Sequence, residues 1–167
     1  MGAQLACPGR QTISLSGDGG FTMLGLGDML TLVEHKLPVV VLVFNNGSLD
    51  FVRIEQQEAG VVPFGTDFRN PNFAAVAQAM GAKGIRLENP ADVESALREA
   101  VAHRGGPVVV DAVVDPYALS IPAHVPLHTA MGFTLSAWKQ VASGHPGFVL
   151  EEMAHNLDLV TSPGLIP

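Results

Sequence analysis

Thr12-Ile13-Ser14-Leu15-Ser16-Gly17-Asp18-Gly19-Gly20-Phe21 is the stretch on which the reading of the whole chain turns. Thr12 to Ser16 reads as a short strand, and helical periodicity begins at Phe21. Between them the glycines let the backbone turn tightly and approach a ligand. The start of the following helix offers unpaired N–H groups and a partial positive charge, which suit a phosphate. Asp18 sets a carboxylate beside that phosphate, and the two anions are compatible if a hard divalent cation lies between them. Mg²⁺ fits, because it takes oxygen ligands from few carboxylates plus phosphate and water.

Working outward, Pro38 to Phe44 and Pro107 to Val114 read as further strands, with Ile85 to Leu87 a weaker fourth. Val39-Val40-Val41-Leu42-Val43-Phe44 and Val108-Val109-Val110 do not alternate with polar residues, which is the pattern of strands covered on both faces of a parallel sheet. The expected fold is therefore α/β, a parallel central sheet with helices on both faces, plus a C-terminal helical tail. Asn70 and Pro71 read as N-cap and first-turn proline of a helix presenting Phe73, Val76, Ala77 and Met80, ended by Gly81. Asn89 and Pro90 repeat the device for a helix burying Val93, Ala96, Leu97, Ala100 and Val101, closed by Gly105-Gly106. Phe21 to Lys36 is apolar around most of its circumference and is expected to be buried on all sides, with another backbone close to Gly25 and Gly27. After Asp115, Pro116, Pro122 and Pro126 mark a loop, and Thr129 to Ser143 and Phe148 to Leu159 read as terminal helices. Gly2 to Ala6 reads as the end of a helix whose beginning is absent, so a fragment is expected.

At 167 residues the chain has the length of one domain and can bury a real core. Apolar residues make up 47% and charged residues 15%, which points to hydrophobic surface meeting another chain or domain. The 16 acidic against 9 basic residues give a net charge of -7, which argues against a nucleic-acid partner. One small anion remains compatible, neutralised locally by a metal and backbone N–H groups. The lone Cys7 permits no internal disulfide and fits a reducing compartment. No apolar run reaches bilayer length and no signal peptide is visible, so a cytoplasmic location is expected.

The second half of the site is Asn45-Asn46, at the carboxyl end of the strand after Asp18. Adjacent parallel strands deliver both to one sheet edge, where open α/β folds bind ligands, and the amide oxygen of Asn46 can complete a metal shell. Taken singly, Gly-Asp-Gly and Asn-Asn-Gly are turn sequences. Together, on these elements, they read as a metal-diphosphate site.

Here the sequence resembles the thiamine-diphosphate enzymes, whose signature opens with Gly-Asp-Gly and closes with Asn-Asn. The resemblance implies that Asp18, Asn46 and the main-chain carbonyl of Ser48 bind Mg²⁺. By the same resemblance Gly17, Gly19, Gly20 and Phe21 belong to the cofactor site. Lys36-Leu37-Pro38, Phe44-Asn45-Asn46, Phe51-Val52, Asn72-Phe73, Gly84-Ile85-Arg86 and Gly132-Phe133 look like stretches of pyruvate oxidase and the quinone-dependent pyruvate dehydrogenase. The implied thiamine-diphosphate-binding domain is residues 1–144, truncated at its start, with 145–167 as tail. Within that group Phe51 matches an aromatic position between thiamine and flavin, Val52 an apolar wall near the thiazolium, and Glu55 a carboxylate facing the substrate. The plain alternatives are core packing for Phe51 and Val52 and a solvated helix face for Glu55.

The implied substrate is a 2-oxo acid such as pyruvate, with FAD in the intact enzyme bound mainly by a domain outside this chain. These enzymes also need a glutamate that activates the aminopyrimidine, and it lies in another domain. The chain is therefore expected to bind the cofactor's diphosphate without turning over substrate alone, as part of a homo-oligomer or beside a partner chain carrying the pyrimidine-binding domain. The alternatives are a subunit of a split two-chain decarboxylase or acetolactate-synthase-like enzyme, and a non-catalytic fragment that keeps the fold. His124 and His128 are expected in a loop and not as a helical zinc pair. Asp111 is expected as a hydrogen-bonded structural group, and Tyr117 and Trp138 as packing residues. Glu151, Glu152 and Asp158 on the last helix argue against membrane attachment.

Overall fold

The fold is that of a computed structural model, which describes residues 1–118 and 127–161, with side chains as far as Asn156. The chain forms two compact units, Met1–Gly47 with Arg69–Val114, and Ser48–Phe68 with Asp115–Pro167. Among the described residues no helix is long and apolar enough to cross a membrane.

The first unit opens with α1 (Gly2–Ala6) and β1 (Thr12–Gly17), followed by a continuous helical run made of α2 (Asp18–Gly20), a π-helical turn (Phe21–Gly25) and α3 (Leu26–Glu34). Then come β2 (Val39–Asn45) and, after residues belonging to the second unit, α5 (Phe73–Ala79), β3 (Lys83–Leu87), a 3₁₀ turn (Pro90–Asp92), α6 (Val93–Ala102) and β4 (Val108–Val113). All strand pairs are parallel and the order is β1-β2-β4-β3. The two valine runs form the central strands, and Val108 to Ala112 are buried without interruption. That matches a strand covered on both faces.

One face is covered by the helical run and α5. Phe21, Met29 and Leu32 from the helical run and Phe73 and Ala77 from α5 pack on Val39, Val41, Val43 and Val109. The rings of Phe21 and Phe73 meet edge to face at 5.4 Å. On the other face, α6 brings Ala96 and Ala100 onto Val40, Val108, Val110, Ala112 and Leu87. The register sets Ile13 beside Val40 and Leu15 beside Leu42 on that same face. Yet Ile13 is 51% exposed and Leu15 is 69% exposed. No described element covers them, and each uncovered side chain forgoes roughly 1.5–3 kcal/mol of burial. An apolar groove of about 410 Å³ runs along the rest of this face, lined by Leu42, Phe44, Leu87, Val93, Leu97 and Ala112.

Three local expectations need correction. The helical run is not buried all round, since Met23, Leu24 and Leu30 face outward. A Cβ at Gly25 would first meet the ring of its own neighbour Phe21, and one at Gly27 would meet nothing within 4 Å, so among the described residues a closely packed second backbone explains neither glycine. The N-cap of α5 is Asn72, whose side chain accepts from the Ala75 N–H at 2.9 Å, and not Asn70. Asn89 caps its turn as expected, accepting from the Ala91 N–H at 3.0 Å.

The second unit contains α4 (Asp50–Glu58), α7 (Leu127–Ala142) and α8 (Pro146–Thr161), with α7 packed on α4 and α8. Ser48 bridges Asp67, and the Leu49 N–H donates to the Thr66 carbonyl at 2.8 Å, which folds the segment back on itself. α4 buries Arg53, Ile54 and Gln57. Arg53 pairs with Asp50, donates to the Pro116 carbonyl at 2.6 Å and lies over the ring of Phe148. Tyr117 packs against Phe148 and His155 as expected, but Trp138 is 66% exposed. His128 sits on α7 and not in a loop, while His124, Pro122 and Pro126 lie outside the described residues.

Candidate functional site

The first unit concentrates its polar side chains at the carboxyl edge of the sheet. Gly17 ends β1 in an extended conformation and caps the helical run without any side-chain hydrogen bond. Asp18, the first helical residue, is only 2% exposed. Its Oδ1 accepts from the Gly19 N–H at 2.8 Å. Its Oδ2 accepts from the Gly47 N–H at 2.7 Å and from Asn70 Nδ2 at 2.6 Å. The aspartate after β1 is thus tied to the turn after β2, the juxtaposition that the spacing predicted. Gly47 has φ +70°, a left-handed conformation open to glycine, and this aims its N–H at the carboxylate.

A second tier lies behind Asp18. Asn45 closes β2, with its carbonyl accepting from the Val114 N–H at 3.0 Å. Its Oδ1 accepts from Asn70 Nδ2 at 2.8 Å, and its Nδ2 donates to Asp111 Oδ1 at 2.8 Å. Asp111, fully buried on β4, also accepts the Phe73 N–H at 2.9 Å and pairs with Arg86 of β3. Burial pulls the Arg86 pKa down, but the hydrogen bonds and charges of Asp111 and Glu88 outweigh it and leave the guanidinium above its ordinary value. A buried carboxylate with three donors is well satisfied. Asp111 is therefore the structural group expected, although its link through Asn45 and Asn70 to Asp18 was not foreseen.

The site residues named from the sequence divide between the units. Gly17, Asp18, Gly19, Gly20, Phe21 and Asn46 stand together at the sheet edge of the first. Asn46 is half-buried between Asn45 and Gly47, both of which are anchored to this network. Phe21 differs from its neighbours: its ring is in the core and its N–H donates to the Asp18 carbonyl. Ser48 is buried and opens the second unit. Phe51, Val52 and Glu55 lie on α4 and point away from the residues that helix buries, with Phe51 73% exposed and Val52 43% exposed. Core packing within this chain therefore does not explain Phe51. Asn45, Asn70, Asp111 and Arg86 were missed as a group. The available signal was three asparagines near a glycine-framed aspartate in a chain poor in charge.

The donor set fits a small hard cation. A carboxylate oxygen has two lone pairs. Oδ2 of Asp18 has both engaged, and Oδ1 has one engaged by Gly19, leaving a single acceptor position for a metal. With the amide oxygen of Asn46 following β2, the chemistry is all oxygen, as Mg²⁺ prefers. Gly17 and Gly20 have open space where a Cβ would stand, so the surface at the helix start is clear for a ligand.

Comparison with known proteins agrees with this architecture. The model of the thiamine pyrophosphate enzyme C-terminal TPP binding domain matches residues 1–112. The protein YdaP of Bacillus subtilis (strain 168), named as thiamine pyrophosphate-containing, is 37% identical over 132 residues, covering 79% of this chain and 22% of its own length. Acetolactate synthase of the same organism is 35% identical over 115 residues, covering 69% of this chain and 20% of that enzyme. Among solved structures, the thiamine diphosphate-dependent 4-hydroxybenzoylformate decarboxylase of Rhodococcus jostii RHA1 superposes with a TM-score of 0.62 at 30% identity, covering 68% of this chain and 21% of that one. The chain thus spans roughly a fifth of the length of the curated relatives it matches. With the parallel sheet, the helix start and the aspartate where that family's signature puts them, the chain belongs to the thiamine pyrophosphate enzymes and carries their C-terminal TPP binding domain.

Proposed function

We propose that this chain holds Mg²⁺ and the diphosphate of thiamine diphosphate through Asp18, Asn46 and the Ser48 carbonyl, as one part of an enzyme that decarboxylates a 2-oxo acid. The observation that carries this is the fixed Asp18 carboxylate with one acceptor position left on Oδ1, at the start of a helix. Gly19 and Gly20 give the diphosphate close access to that helix start. The bound cofactor supplies the nucleophilic carbon and the electron sink of the reaction. The chain's own residues anchor and orient it.

Pyruvate oxidation, with FAD bound mainly outside this chain, is the finer reading. It rests on the resemblance at Phe51, Val52 and Glu55 and is supported by the outward placement of all three on α4. In this role Phe51 and Val52 present an apolar wall, and Glu55 a carboxylate that can handle a substrate proton. A second reading, acetolactate-type carboligation, is favoured by the identity to acetolactate synthase. A homo-oligomer or a partner chain supplies the pyrimidine-binding domain in either case.

Calorimetric titration of the chain with thiamine diphosphate, with and without Mg²⁺, tests the anchor. The expected result is metal-dependent binding that Asp18→Ala abolishes. Equal binding without metal, or by the variant, overturns it. Adding pyruvate to the chain together with its pyrimidine-binding partner distinguishes the finer readings by product: acetate with a reduced acceptor, or acetolactate.

A further inference from the structure

The orientation of every group between Asp111 and Asp18 is dictated by the one before it. An ionised Asp111 only accepts hydrogen bonds, so the Asn45 side chain must turn its Nδ2 toward it, and does so at 2.8 Å. That leaves Asn45 Oδ1 facing Asn70. The Asn70 amide therefore presents its NH₂, and its two hydrogens go to Asn45 Oδ1 at 2.8 Å and Asp18 Oδ2 at 2.6 Å. A flip of Asn70 would put its carbonyl against two acceptors. Asp111 is itself held by the Phe73 N–H and Arg86, so the chain of constraints begins at a charge fixed in the core.

From this we infer that Asn70 is a positioning residue that sets which divalent cation the site takes. Together with the Gly47 N–H it occupies both lone pairs of Asp18 Oδ2 and restricts the carboxylate to one-oxygen coordination through Oδ1. One-oxygen coordination at a rigid site suits Mg²⁺, which demands near-octahedral geometry. Ca²⁺ takes more ligands and readily uses both oxygens of a carboxylate. Loss of the Asn70 donor would return a lone pair to Oδ2 and let the carboxylate swing, which harms the smaller ion more. Outer partners of metal ligands typically govern affinity by about 10–100-fold.

This inference rests on the reading of Asp18 as a metal ligand, and the experiment separates the two. Calorimetric affinities for Mg²⁺ and for Ca²⁺, each with saturating thiamine diphosphate, are measured on the wild-type chain, Asp18→Ala, Asn70→Ala and Asn70→Ser. If the wild type shows no metal dependence, or Asp18→Ala binds as well, the site reading itself fails. If the wild type binds and Asp18→Ala does not, the expected result for Asn70→Ala is Mg²⁺ affinity lower by about tenfold or more. The loss for Ca²⁺ should be smaller, so the Mg²⁺/Ca²⁺ ratio narrows. A merely structural role would lower the binding-competent fraction, read as stoichiometry, and leave that ratio unchanged. Asn70→Ser, whose hydroxyl is too short to span both acceptors, should narrow the ratio in the same direction and decides the matter if the alanine variant does not fold. An unchanged ratio in either folded variant overturns the proposal.

Discussion

Asn45 on β2 and Asp111 on β4 join the two central strands by a side-chain hydrogen bond of 2.8 Å, with Asn45 in the last residue pair of the ladder and Asp111 two pairs before it. Asp111 is the hub, because it also accepts from Phe73 and Arg86. Replacing it by alanine would strand the Asn45 amide and the Phe73 N–H in the interior. Asp111→Ala is expected to lower stability by about 3–5 kcal/mol, the usual cost of removing one member of a buried charged pair. Urea unfolding followed by circular dichroism measures it, and a loss under about 1 kcal/mol would show that the hub is dispensable.

Gly84 on β3 lies directly against the backbone of α5. A Cβ built there falls 2.0 Å from the Ala74 carbonyl oxygen, a contact that backbone on both sides cannot relieve by rotating a side chain. Gly84→Ala is expected to cost at least about 1–3 kcal/mol, the usual range for overpacking. A melting temperature equal to that of the wild type would mean that α5 can slide away without penalty.

Phe51 and Ile54 share α4 but face opposite environments, with Phe51 73% exposed and Ile54 9% exposed. Phe51→Ala should leave the stability of the isolated chain within about 0.5 kcal/mol of wild type. Ile54→Ala should cost about 2–5 kcal/mol. Chemical denaturation of both variants gives the contrast, and a large loss from Phe51→Ala would return that residue to a packing role. In the complete enzyme, the proposed contact of Phe51 with the reacting groups predicts that Phe51→Ala lowers kcat.

Glu152 on α8 is driven toward its neutral form. Burial raises its pKa, and the hydrogen bonds from Gln57 and the charge of Arg53 offset this only in part. A carboxyl whose pKa is higher folded than unfolded favours the fold at pH below its unfolded value and loses that contribution as pH rises through the folded one. Glu152→Gln keeps an oxygen acceptor for Gln57 and removes the buried charge. Its melting temperature should therefore gain on wild type at neutral pH, and the gain should shrink as the pH falls into the carboxylate range. A difference that does not vary with pH would remove Glu152 as the titrating group.

The sheet was legible because parallel central strands must be apolar on both sides, and the valine runs of β2 and β4 have no other use. Asp18 was legible for a similar reason: glycines around a lone acid between strand and helix are a costly arrangement unless something binds there. Asn70 was misread because the local rule for a helix start is satisfied equally by Asn70 before Pro71 and by Asn72 before Phe73. Capping is settled by backbone angles that composition does not carry. Arg86 and Asp111 meet only because β3 lies beside β4, a register set by the whole sheet. The apolar run of Phe21 to Lys36 reads as buried on all sides, but only Phe21, Met29 and Leu32 are, because apolar content around a helix does not say which faces the fold covers.

The segment 48–68 leaves the first unit after Gly47 and returns at Arg69. Gly47 and Asn70, the residues at the two ends of that excursion, are both fastened to a single atom, Asp18 Oδ2. That oxygen thus draws the neck of the excursion together, alongside the Ser48–Asp67 bridge and the Leu49–Thr66 hydrogen bond that help to close it. An alanine at Asp18 would therefore slacken the neck as well as remove a charge, whereas an asparagine, with one carbonyl oxygen, can still gather both ends.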